Sequence, residues 1–249
     1  MARLNEQVAI ITGAGRGIGR ALALGMAREG AAIVIAEIDP ASGQAVEREI
    51  HQADGQALAV QTDVSNDESV AAMMSICLDR FGRVDVLVNN AGIFPTSPVE
   101  EMAEEEWDHV IGTNLVGTFL CSRAVVPHLI AQRSGRIISL ASGRGLEGAK
   151  NGAHYAASKA GIIGLTKALA LELAPHGVTA NVLCPGVTDT AQPRGHMTEE
   201  ELYARAATIP LGRIGQPDDL VAPAVFLASD AARFVTGQTV VVNGGAIRW

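Results

Sequence analysis

The chain contains two tyrosines, and the first of them, Tyr155, lies in "AHYAASKAG" (153–161), four positions before Lys159. On a helix, positions i and i+4 share a face, so the phenol and the ammonium project side by side. An unperturbed phenol has a pKa of about 10 and is a poor acid/base group at neutral pH. A neighbouring cation favours phenolate over phenol, and lowering the pKa to about 7 asks for about 4 kcal/mol of differential interaction. Two close cationic partners in a partly desolvated cleft would supply it, which predicts general acid/base chemistry at Tyr155. The flanking Ala153, Ala156, Ala157, Ser158, Ala160 and Gly161 leave room for a second molecule or helix to approach. Taken alone, the pair also reads as a packed tyrosine beside a lysine whose stem covers apolar surface.

A second chemical feature is "IITGAGRGIGRALALGMAREG" (10–30), in which a short β-branched run leads through Gly13, Gly15, Arg16, Gly17, Ile18 and Gly19 into a helical pattern. A glycine-rich strand-to-helix turn lets backbone approach a pyrophosphate, and the helix N-terminus offers unpaired N–H groups and a positive dipole end. Glu37 follows Gly19 by 18 residues, at the end of the next strand run. A carboxylate there accepts hydrogen bonds from the adenosine ribose and repels a 2′-phosphate, so the expected cofactor is NAD. Arg16 pulls the other way, because a guanidinium pairs with a 2′-phosphate, and it keeps NADP open. Glu37 also reads as a plain strand-end carboxylate or a cap for the helix after Pro40.

These groups need elements to hold them. Strand candidates are Val8–Thr12, Ala32–Ala36, Ala57–Gln61, Val84–Asn89, Gly135–Ala141, Thr179–Leu183 and Thr239–Val242. Helical patterns fill the gaps at Gly17–Glu29, Ala41–Ala53, Asp67–Phe81, Trp107–Gln132, Ala153–Pro175 and Asp218–Ser229. Near-continuous apolar strands alternating with helices predict an α/β, doubly wound, seven-stranded parallel sheet with helices on both faces. No linker breaks the alternation, so residues 1–249 read as one domain. The exception in rhythm is a polar excursion at 188–214, with one helical pattern at Thr198–Ala207, and long excursions of this kind usually serve function.

Several motifs now stand in one order: "TGAGRGIG" at 12–19, "NNAG" at 89–92, Ser142, "YAASK" at 155–159 and "CPG" at 184–186. Together they resemble the short-chain dehydrogenase/reductase family over essentially the whole chain. The resemblance implies a Rossmann fold and an NAD(P)-dependent oxidoreductase acting on a small secondary alcohol or ketone. A reductase of 3-oxoacyl thioesters using NADPH is the alternative, and a dinucleotide-binding regulator without turnover is the non-enzymatic one. It also implies roles. Ser142 orients the substrate oxygen and Tyr155 moves the proton. Lys159 tunes the phenol and binds the nicotinamide ribose. Asn114 kinks a helix and completes a proton relay through water. Asp63 and Val64 contact the adenine, and Asn90, Ala91 and Gly92 line the adenosine ribose side. Pro185, Gly186, Thr188 and Thr190 belong to the stretch that holds the nicotinamide amide. A homotetramer is implied too, with Trp107–Gln132 and Ala153–Pro175 packing between subunits.

The substrate pocket is expected between Gly143 and Ala153, at Gly186 and Val187, and along residues 191–212 of the excursion. Leu146, Ile209 and Leu211 are its apolar candidates, while Arg194 and His196 would meet a carboxylate. His154 points about 100° away from Tyr155 on a helix and reads as surface or pocket rim. Ser139 is a weaker hydroxyl candidate inside a strand. Trp249 suggests burial at a subunit contact or beside a neighbouring pocket.

A formal net charge of −8 disfavours a nucleic-acid partner. The apolar runs in the strands are too short to cross a bilayer, and no secretion signal is visible, so the expected location is cytoplasmic. Cys77, Cys121 and Cys184 are widely spaced and read as buried thiols. The dispersed histidines form no zinc motif, so no metal is expected.

Overall fold

The computed structural model of the protein describes residues 3–195 and 197–248. Seven strands, Val8–Thr12 (β1), Ala32–Glu37 (β2), Ala57–Gln61 (β3), Val86–Asn89 (β4), Gly135–Leu140 (β5), Val178–Pro185 (β6) and Thr239–Val242 (β7), form one parallel sheet. Around it lie Gly17–Arg28 (α1), Pro40–Gln52 (α2), Asp67–Phe81 (α3), Glu104–Ile111 (α4) and Gly117–Gln132 (α5). They are followed by Arg144–Glu147 (α6), Ala153–Leu173 (α7), Ala191–Arg194 (α8), Glu199–Thr208 (α9) and Val221–Ala228 (α10). The strand candidates match to within one or two residues at each end.

The strand order is β3-β2-β1-β4-β5-β6-β7. The chain winds outward from β1 to β3, then returns to place β4 on the other side of β1. That reversal opens a crevice beyond the carboxyl ends of β1 and β4, where ligands bind in sheets of this kind. Side chains alternate across the pleat, so Ile10 and Ile11 enter different cores. Ile11 packs with Leu22, Met26, Ile33 and Leu227 on the α1 and α10 side. Ile10 packs with Met73, Cys77, Leu129 and Leu173 on the α3, α5 and α7 side.

Local sequence sets the helix ends. Asp39 accepts from Ala41 N at 3.1 Å with Pro40 in the first turn of α2, and Asn66 accepts from Ser69 N at 2.9 Å to start α3. In the excursion, Thr198 and Glu201 form a reciprocal capping box that starts α9. The expected helix at Trp107–Gln132 instead begins at Glu104, and a π turn at Gly112–Val116 joins α4 to α5. Such turns often mark functional positions, and this one carries Asn114.

Candidate active site

The glycine turn is built for close approach. Gly13 has φ +62°, and a Cβ there would lie 2.9 Å from Ala91 Cα. A Cβ on Gly19 would lie 2.2 Å from Gly13 O. Asn90 secures the turn from β4, its Nδ2 donating to Thr12 O at 2.9 Å and Gly13 O at 3.0 Å. The Asn90 side chain is therefore spent on positioning the loop. Gly17 packs beside Thr190, whose Cγ2 would be 3.3 Å from an added Cβ.

Glu37 is buried at the end of β2 and faces the same turn. Its Oε2 accepts from Gly15 N at 2.8 Å, and its Oε1 accepts from Ile38 N at 3.0 Å and Asp39 N at 3.3 Å. The carboxylate thus braces the glycine turn. A carboxylate has about four lone-pair sites, so capacity remains for a ribose hydroxyl. Arg16 is exposed and forms no ion pair among the described residues.

Asp63 and Val64 follow β3. The Asp63 carboxylate accepts from Ser65 N and Oγ at 2.9 and 2.6 Å, while Val64 is buried against Gly117. Beyond β6, Gly186 N donates to Val242 O at 3.0 Å, and the buried Thr188 donates its hydroxyl to Gly186 O at 3.1 Å.

At the chemical end, Ser142 and Tyr155 line a cavity of about 290 Å³ with Lys159, Pro185, Gly186, Thr188 and Thr190. Burial pushes the Tyr155 pKa up. Hydrogen bonds from Ser142 and Gln192 and the charge of Arg144 pull it back down. The expected depression by Lys159 does not occur in the protein alone. Lys159 Nζ lies 5.6 Å from the phenol ring centroid and donates to Leu140 O at 2.8 Å. Burial also holds its own pKa down at about 8.

Asn114 is fully buried and does not line the cavity. Its Oδ1 accepts from Ile93 N at 2.9 Å, and its Nδ2 donates to Ile93 O at 3.0 Å and Ser158 Oγ at 3.1 Å. It ties the segment after β4 to α7, next to the Tyr155–Lys159 face. Gly92 sits between, and a Cβ there would lie 3.2 Å from Asn114 Oδ1 and 3.4 Å from Lys159 Nζ.

Some expectations need correction. Leu146 points away from the cavity and packs with Ile162, Ile163 and Val182, because one turn of α6 presents Arg144 and Glu147 to the pocket instead. Leu211 is exposed, whereas Ile209 does line the cavity. Arg194 is consumed by ion pairs with Asp189, at 2.6 Å, and Glu199. His154 is buried, since α4 packs over the start of α7. Its Nδ1 accepts from Tyr155 N at 2.8 Å and its Nε2 meets Glu106 Oε1 at 2.9 Å. Ser139 is buried within the sheet and accepts from Asn89 Nδ2 at 3.4 Å. The cysteine expectation holds, with all three thiols buried and unpaired, and burial pushes Cys77 and Cys121 up to about 12. His196 and Trp249 lie outside the described residues.

Sequence reasoning missed Phe94, whose ring centroid is 4.3 Å from that of Tyr155, and Gln192, Met197, Arg205, Asn243 and Ile247 in the cavity wall. The excursion was legible as functional, but which of its side chains turn inward depends on how it folds over the sheet.

The comparisons with known proteins agree with this geometry. The profile of the family described as Enoyl-(Acyl carrier protein) reductase matches residues 13–246. A 3-oxoacyl-[acyl-carrier-protein] reductase of Synechocystis sp. is 43% identical over 249 residues, covering 99% of each chain. The (2S)-[(R)-hydroxy(phenyl)methyl]succinyl-CoA dehydrogenase subunit BbsD of Thauera aromatica is 38% identical, covering 97% of each chain. Among solved structures, gox2181 superposes with a TM-score of 0.96 at 37% identity, covering 100% of this chain and 98% of that one. A protein of Beutenbergia cavernae assigned as an NAD(P) dependent gluconate 5-dehydrogenase, with NADP bound at low occupancy, gives 0.92 at 43% identity and covers 98% of this chain and 97% of its own. With the nucleotide crevice, the glycine turn and the Ser142–Tyr155–Lys159 cluster in one continuous site, the chain belongs to the short-chain dehydrogenase/reductase family and is an NAD(P)-dependent oxidoreductase.

Proposed function

We infer that the protein interconverts a small secondary alcohol and its ketone, with NAD as the preferred cofactor. The observation that carries this reading is the Tyr155 phenol, which shares with Ser142 and Gln192 the lining of the cavity that continues toward the glycine turn. The residues fit a dinucleotide, because the turn at Gly13–Gly19 has no room for side chains where a pyrophosphate would need backbone. Gly13, Gly15, Arg16, Gly17, Ile18 and Gly19 would face the pyrophosphate, with Glu37 at the ribose and Asp63 and Val64 at the adenine. Asn90 to Gly92 would line the adenosine ribose side, and Lys159 and the stretch from Pro185 to Thr190 would hold the nicotinamide half. When bound, the cofactor takes or gives the hydride. Toward the alcohol, Tyr155 donates its proton to the substrate oxygen while the Ser142 hydroxyl donates a hydrogen bond to the same atom. Toward the ketone, the Tyr155 phenolate accepts that proton, and the Lys159 charge stabilises the phenolate before the transfer.

Cofactor preference rests on Glu37, whose buried carboxylate would face a 2′-phosphate directly. In Glu37→Ser, the ratio of kcat/KM for NAD over NADP is expected to fall at least about tenfold. The ratio is the informative quantity, because loosening the glycine turn alone weakens both cofactors alike. A wild-type enzyme that prefers NADP, or an unchanged ratio in the variant, removes Glu37 from cofactor choice.

A second reading, reduction of 3-oxoacyl thioesters, is favoured by the activity of the Synechocystis relative. A kinetic panel of secondary alcohols, hydroxy acids and acyl thioesters separates the two. We also propose a homotetramer. Trp107, Val116 and Phe119 on the α4–α5 run and Leu171 on α7 are exposed apolar side chains on the helices expected between subunits. Light scattering should return a mass about four times the 25.9 kDa chain; a monomeric mass refutes it.

A further inference from the structure

We propose that Arg205, together with Arg144, forms a carboxylate-binding subsite in the substrate cavity, so that the substrate is a compact hydroxy or oxo acid. This rests on the alcohol/ketone reading above and names its substrate class. Arg205 lies on α9, within the excursion, and lines the cavity that holds Ser142 and Tyr155. Its Nε is shielded from solvent, and among the described residues it has no hydrogen-bond partner. Leaving a buried charged donor unpaired is costly, and such groups in native structures call for a partner.

The contrast with the rest of the excursion is informative. Arg194 is neutralised by Asp189 and Glu199, and Arg213 by Asp219 at 2.6 Å, whereas Arg205 and Arg144 form no ion pair among the described residues. Glu147 is the one carboxylate among the lining residues, and it is exposed and pairs with neither arginine. The wall therefore offers two guanidiniums without an ion pair among the described residues, a half-buried one on Arg205 and an exposed one on Arg144. A guanidinium fork matches the two oxygens of a carboxylate, which favours that anion. The cavity of about 290 Å³ also includes Ile18, Asn90, Gly92 and Thr188 from the nucleotide end, so the share left for substrate suits a short acid.

The test compares short linear oxo acids of increasing length, each against its methyl ester, using NADH and the wild-type, Arg205→Gln and Arg205→Lys enzymes. The acid of fitting length should exceed its ester in kcat/KM by about tenfold or more, as expected for a charge-assisted hydrogen bond. Arg205→Gln should abolish that preference while ester turnover is retained, which also certifies the variant as folded. Arg205→Lys should restore part of it. Equal kcat/KM for acid and ester, or a preference unchanged in Arg205→Gln, overturns the subsite and leaves the oxidoreductase reading intact. If neither compound is turned over, the alcohol/ketone reading fails, and binding decides the subsite separately. Calorimetric titration of NAD-loaded Tyr155→Phe protein then shows tighter binding of acid than ester if the subsite exists, and equal binding if it does not.

Discussion

Tyr155→Phe is expected to lower kcat by about a thousandfold, with little change in cofactor affinity or thermal stability. The variant removes one oxygen from a ring that stays packed against Phe94 at 4.3 Å between centroids. What it deletes is the proton donor that Ser142 and Gln192 hold in place. Because burial keeps the phenol protonated in the protein alone, the donor form is ready for ketone reduction at neutral pH. The loss should therefore appear in kcat rather than in cofactor KM, followed through the absorbance of the reduced nicotinamide. Far-UV circular dichroism and a nucleotide titration check that fold and binding persist. Undiminished turnover would remove the phenol from the mechanism.

Lys159→Met should produce an opposite pair of effects, a fall in turnover of at least about a hundredfold and a fold no less stable than wild type at pH 7. Burial depresses Lys159 from 10.5 to about 8, so between those values the unfolded chain binds the proton more strongly than the native one. Stability of the wild type then rises with pH from about 8 to 10.5, and the cost of the buried charge is present in full below about 8. That depression corresponds to about 3 kcal/mol. Methionine removes the cost but strips the Leu140 carbonyl of a donor at 2.8 Å, which returns about 1–3 kcal/mol. Urea unfolding at pH 7 and pH 10 reads both predictions. The pH-dependent gain should vanish in Lys159→Met, and a variant several kcal/mol less stable at pH 7 would contradict the assignment. The site thus holds a lysine that stability alone disfavours, as active sites often do.

The Tyr155–Lys159 face, the glycine turn and the seven strands were legible because each depends on short-range periodicity or local turn chemistry. Alternation at period two marks Ile10 and Ile11 for opposite cores without knowledge of the partner helices. Side-chain fate was less legible where two distant elements meet. His154 reads as rim from its own helix alone, yet α4 covers it and Glu106 takes its Nε2. Leu146 reads as pocket from its place after Ser142, yet on α6 it packs half-buried against Ile162, Ile163 and Val182 and leaves Arg144 and Glu147 facing the cavity. Spacing places Lys159 beside Tyr155, but only the packed structure shows that one of its three N–H donors holds the Leu140 carbonyl.

By itself the sequence determined the doubly wound sheet, the nucleotide turn, the acid at the end of β2 and the identity of the acid/base group. Those features are written in periods of two and 3.6 residues, and in turn geometry that only glycine satisfies. The tertiary structure decided the rest: which arginines are neutralised, which side chains close over Tyr155, and how far burial moves the site's proton affinities. These depend on contacts between residues far apart along the chain and on the local loss of water, neither of which any single segment encodes.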